Sequence, residues 1–277
     1  MNGPLLLCAR QELTLAIRSR WTQLFAIVFA LLASAVAWSG YILSGGSGVQ
    51  DFARTSVSMI QLVTLLVPLA ALVVGVMSFT AERGAAELLY SQPVSRASIL
   101  SGQMLGVFVA LVAAQLVGFG AAGIVIFSSG GSWGVGAYFV LVSASVLLTA
   151  MFVAAAAAAG AGAVGRGRLR AIAVALTIWF AAVLLFDLAA LGAASLLPSG
   201  HASRLLIVSV LVNPVDAIRT GALLATTGTT AFGAASLAFL RFTKGTTGAM
   251  LALSISIVFW TIAPALLATW RLRKRDL

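Results

Sequence analysis

Cys8 is the only cysteine and His201 the only histidine in 277 residues, and lysine occurs only at Lys244 and Lys274. A single thiol makes no intrachain disulfide and no thiolate cluster. Zinc and copper sites draw on several nitrogen or sulfur ligands, so no metal-binding residues are assigned. Neither lysine follows a glycine ahead of Ser or Thr in the way a phosphate-cradling loop requires, so the chain is not itself a P-loop ATPase. A lone histidine supports no Ser–His–Asp set, and no catalytic residue is assigned. Charge is scarce too, at 9% of residues, against about 25% in a soluble domain.

What fills the chain instead is apolar sequence, 61% of it. Several runs exceed the roughly 18 residues that mark a membrane span. The expected fold is an all-α integral membrane protein, because a transmembrane barrel would alternate in short strands. Six spans are placed at about 22–43, 57–79, 103–127, 135–164, 171–197 and 247–270. They form one transmembrane domain over residues 1–277. Residues 1–21 are read as an interfacial elbow helix, 80–102 as a cytoplasmic segment between spans two and three, and 198–246 as an extracytoplasmic helical loop between spans five and six.

The excess of basic residues sets the orientation. Arg10, Arg18, Arg20, Arg83, Arg96, Arg166, Arg168, Arg170, Arg271, Arg273, Lys274 and Arg275 fall on one side of a six-span chain. That side is expected to be the cytoplasm, with both termini there. The net charge of +10 is therefore a topology signal, and no nucleic-acid partner is implied. The stretch "LLLCAR" lacks preceding positive residues, so no cleaved leader is expected. Leu6, Leu13, Ile17 and Trp21 lie on one helical face, with Arg10, Thr14 and Arg18 on another, the pattern of a helix lying on the membrane surface.

Within this apolar background three polar features stand out. Asp187, in "LLFDLAAL", is the only acid within an expected span; packing and transport roles both remain open. "NPVDAIR" has Asn213 as an N-cap, Pro214 at the first helical position and Asp216 where it favours the positive helix end. Capping explains those three, contact with a partner or cargo is the alternative, and Arg219 is left unexplained. The stretch "FGAASLAFLRF" is expected to dip Phe232, Leu237, Phe239, Leu240 and Phe242 into the outer interface. "GFGAAG" and "AAAAAAGAGAVG" predict close helix packing.

The third feature is "ERGAAELLYSQPVSRASILSGQ", residues 82–103. Its first half favours helix, Pro93 ends it, and Ser95 is placed to cap a second helix that runs into span three. Composition leaves a solvated loop and a docking segment equally open. The pattern E-R-G-x-x-E-L-L-x-x-Q-P-V-S-R-x-x-I-L-x-G-Q resembles the coupling segment of ABC-2 type permeases, the six-span membrane subunits of ABC exporters. The matching positions are Glu82, Glu87, Leu88, Leu89, Pro93, Ser95, Arg96, Leu100 and Gly102; Gly84-Ala85 and Gln103 depart from the pattern of many members.

The resemblance implies a bacterial inner-membrane protein that pairs with a second copy of itself and with two ATPase subunits. ATP and magnesium would be bound by those partners, with no cofactor on this chain. The coupling residues it implies are Glu82, Arg83, Glu87, Leu88, Leu89, Tyr90, Pro93 and Arg96. "RQELTLAIRSRW", "IWFAAVLLFDLAAL" and "VLVNPVDAIRTGALL" are similar to permeases of the branch that serves copper-site assembly of nitrous oxide reductase. That similarity implies a periplasmic β-helical protein and a copper chaperone as further partners. A generic ABC-2 exporter of a lipid, drug or other small molecule, or a relay that moves no solute, stays open.

Overall fold

The computed structural model describes residues 3–43, 52–80, 94–128, 135–163, 167–228 and 234–274. These are helical throughout, apart from short connecting turns. α1 (Pro4–Arg18) breaks at Ser19 and is followed by α2 (Arg20–Leu43). α3 (Phe52–Phe79), α4 (Arg96–Ser128) and α5 (Val135–Ala163) follow. Span five has three parts: α6 (Arg168–Phe180), a π turn (Ala181–Leu185) and α7 (Phe186–Ser195). Then come α8 (Ser199–Val212), α9 (Pro214–Thr227), α10 (Ala234–Phe242) and α11 (Thr246–Arg273). Six of these helical runs are long and apolar enough to cross a membrane, and they coincide with the six expected spans.

The core lies where α3 and α5 cross, flanked by α2, α4 and α11. Val67, Leu72, Leu111 and Leu148 are buried there. Lipid gives helices no hydrophobic reason to associate, so close approach and interhelical hydrogen bonds do the work. Residues Ala156, Ala157 and Ala161 of the alanine run are buried, and a Cβ added at Gly160 would stand 2.6 Å from that of Phe79. Gln115, Ser145 and Thr149 are buried between α4 and α5. Gln115 donates to Thr149 Oγ1 (2.7 Å) and accepts from Ser145 Oγ (2.5 Å), a polar tie that no earlier signal singled out.

α1 docks across the start of α4. Gly102 and Gly106 form the seat: a Cβ at Gly106 would come within 2.6 Å of the Ala9 carbonyl oxygen, and one at Gly102 within 2.7 Å of the Leu5 oxygen. The face that packs inward is Ala9, Glu12 and Ala16. Leu6, Ile17 and Trp21 are exposed, so these large apolar residues lie on the outer surface and the small ones meet protein. Glu12 is buried against Ser78, and that burial pushes its carboxyl above the ordinary range despite a lowering hydrogen bond from Ser78.

Residues 198–246 are helical where described: α8 and α9 meet at a bend of 100°, and α9 packs against α3, α5 and α11. One expectation there needs correction, because Phe239 is not lipid-facing: it is buried with Ile207, Ala217, Ala249 and Leu253 in a small second core. A short helix over a bent pair has its own underside to bury, and Phe239 faces it. Leu237 and Phe242 remain exposed; Phe232 lies outside the described residues.

Candidate functional site

The elbow between α8 and α9 is built on Asn213. Its backbone is extended, and its side-chain oxygen accepts from Val215 N at 3.0 Å, the N-cap expected from the sequence. Pro214 has no N–H to lose at that position. Breaking the helix orphans the last carbonyls of α8. Ser256 Oγ and Trp260 Nε1 of α11 donate to Leu211 and Val212, at 2.6 and 2.8 Å. The elbow is therefore tied into span six.

It is tied equally into span five. Asn213 Nδ2 donates to the carbonyl of Ala182 at 2.8 Å, inside the π turn. A π turn adds one residue to the helix, which rotates everything after it by about 100°. Asp187, two residues past the turn, thereby faces α9. Arg219 Nη2 donates to Asp187 Oδ2 at 3.0 Å and also pairs with Asp216 Oδ1 at 2.5 Å. Asn213 Nδ2 completes the set by donating to Asp216 Oδ2 at 3.0 Å.

Asn213, Asp216, Arg219 and Asp187 are thus one cluster: two carboxylates share one guanidinium. Asp216 is fully enclosed, whereas Arg219 and Asp187 are 27% and 32% exposed. The sequence marked every member, but not the pairing of Asp187 with Arg219. The missing signal was the π turn, since nothing in Ala181–Leu185 distinguishes it from ordinary helix.

Of the expected coupling set, Glu82, Arg83, Glu87, Leu88, Leu89, Tyr90 and Pro93 lie outside the described residues. Its described end is well anchored. Ser95 caps α4 by accepting from Ser98 N at 3.1 Å, as the sequence predicts. Arg96 Nη1 donates to the carbonyl of Leu272 at 3.0 Å, joining the start of span three to the end of span six. Leu100 is buried, and Gly102 seats α1.

An apolar cavity of about 700 Å³ lies between α5, span five and α11. Its wall is largely alanine and aromatic, with Asn213 toward one end and Arg271 toward the other.

The protein-family model described as "ABC-2 family transporter protein" matches residues 6–277. The chain is 34% identical over 218 residues to a Pseudomonas aeruginosa protein described as "probable ABC transporter permease protein NosY", covering 76% of this chain and 78% of that one. A protein of the same description from Stutzerimonas stutzeri is 34% identical over 220 residues, with the same coverage.

Proposed function

Because the chain belongs to the ABC-2 family of transporter permeases, we propose that it works as a NosY-like subunit in the inner membrane, passing the ATP-driven motion of a separate ATPase pair to the outer face. The working unit is a pair of such chains. Both termini and the segment at 80–102 lie in the cytoplasm, as the arginine distribution argues, and 198–246 faces outward. The process served is copper-site assembly of nitrous oxide reductase, with the periplasmic β-helical protein and copper chaperone of such systems as the outer partners.

The observation that carries this reading is a continuous set of ties from the end of span six to the elbow halfway along the bundle. Span three begins at the coupling segment. Arg96 links it to Leu272 at the end of span six. Span six holds the elbow through Ser256 and Trp260, and the elbow grips span five through Asn213 and Arg219. A push on the cytoplasmic segment has a bonded route to the elbow, which sits halfway along spans five and six.

Copper is not the species that crosses. A soft metal ion in transit needs thiolate, thioether or imidazole ligands in sequence along its path. The chain offers one cysteine, one histidine and six methionines, Met1 among them, and a pair only doubles that inventory. A sulfur species, another small solute or a mechanical output fits better. The test uses inverted vesicles holding the complete complex. ATP-dependent copper uptake should be absent, and robust uptake lost when Met77 and Met151 become leucine would overturn the copper claim. Reversing Glu82 and Glu87 to lysine should detach or uncouple the ATPase with the spans intact; undiminished ATPase binding and activity would refute the coupling role.

A further inference from the structure

We propose that the cavity between spans four, five and six is a resident lipid site. Its occupant is one acyl chain of an anionic phospholipid whose phosphate meets the cationic end of α11. The inference stands apart from the transport reading.

Three backbone irregularities make the space. The π turn widens span five beside Ala181 and Ala182, Pro264 removes a donor within α11, and the Asn213–Pro214 elbow turns α9 away. Alanines at 155, 158, 159 and 263 leave the wall thin. The cavity extends from Phe259 to Arg271 along α11, about 18 Å of helix. The hydrocarbon core of a bilayer is about 30 Å thick, so the cavity serves one leaflet only, the one beside the C-terminal end of α11. A volume of about 700 Å³ drawn out over that length has the elongated shape of an extended acyl chain.

The polar groups sit where a lipid needs them. Asn213, toward one end, is already spent on Ala182, Val215 and Asp216. At the other, Arg271 donates one N–H to the Ala158 carbonyl at 3.0 Å, which uses one of five donors. Arg273 and Lys274 follow within the same turn, with Lys274 Nζ 4.2 Å above the Trp270 ring. Basic groups at the membrane end of an interhelical cavity recognise anionic headgroups.

The complete complex is placed in nanodiscs of equal phosphatidylglycerol and phosphatidylethanolamine, extracted into detergent, and its retained lipids counted by native mass spectrometry. Wild type should keep phosphatidylglycerol over phosphatidylethanolamine by about fivefold, the preference expected of one cation at the surface. Ala263→Phe and Ala155→Phe fill the cavity from opposite walls, and both should lose the lipid while the complex stays assembled. Arg271→Gln should keep a lipid and lose the headgroup preference. The proposal fails if wild type retains no lipid or retains both kinds equally. It fails if the filled variants retain as much as wild type, or if filling only breaks the pairing of two copies. Release of the lipid on ATP turnover would make it cargo and overturn residency.

Discussion

Replacing Arg219 with glutamine asks whether one guanidinium holds two acids. At 3.0 Å from Asp187 the gross attraction is about 5.5 kcal/mol at an effective dielectric of 20. Both partners are about a third exposed, so water screens this bridge toward the 0.2–1 kcal/mol range of open pairs, and about 1 kcal/mol remains. Asp216 is enclosed, and an enclosed carboxylate that loses its cation costs roughly 3 kcal/mol or more. Arg219→Gln should therefore destabilise by about 3–4 kcal/mol and Asp187→Asn by about 1 kcal/mol. The double variant gives the sharper test. Once the cation is gone the enclosed acid takes up a proton rather than stay buried as an unpaired charge, so Asp187→Asn should add nothing to the Arg219→Gln loss. Thermal unfolding of the four proteins in one lipid composition measures the cycle. If the double variant is less stable than Arg219→Gln alone, or if the two single variants cost the same, Arg219 does not bridge the pair.

Three further outcomes follow from other parts of the bundle. The Glu12 carboxyl is held above its ordinary value of 4.5 by burial, its leading cause. Between that value and the raised one the folded chain binds more protons than the unfolded one, so stability falls as pH rises through the window. Glu12→Gln should match wild type at pH 4, exceed it at pH 7 and keep the Ser78 contact; a difference independent of pH would contradict this. Gly106→Ala puts a methyl against the backbone of α1 and should lift α1 off α4, so the lone Cys8 should react faster with maleimide than in wild type, where equal rates would refute the seat. In a Cys8→Ser background, cysteine at Leu196 should label with an impermeant reagent from outside and cysteine at Leu169 should not, both sites being more than 80% exposed; the opposite pattern would invert the topology.

The spans were legible because each is a long apolar run, and the caps at Ser95 and Asn213 because short polar residues accept from a helix start in any solvent. What was hidden is how the helices face one another. In water a large apolar side chain marks the inner face; in lipid it marks nothing, since lipid solvates it equally well. Leu6, Ile17 and Trp21 are exposed, yet they gave no clue that Ala9, Glu12 and Ala16 would pack on Gly102 and Gly106. The same rule explains why Gln115 passed unnoticed: a lone amide in an apolar span is expensive until a partner is found, and its partners Ser145 and Thr149 lie 30 and 34 residues away. Asp187 and Arg219 were each visible as anomalies for that reason. Their pairing depends on one extra residue in a helical turn, a change of register that no local preference in "AAVLL" encodes. Polar residues in apolar spans are thus the readable trace of the interior, and the π turn decides which of them meet.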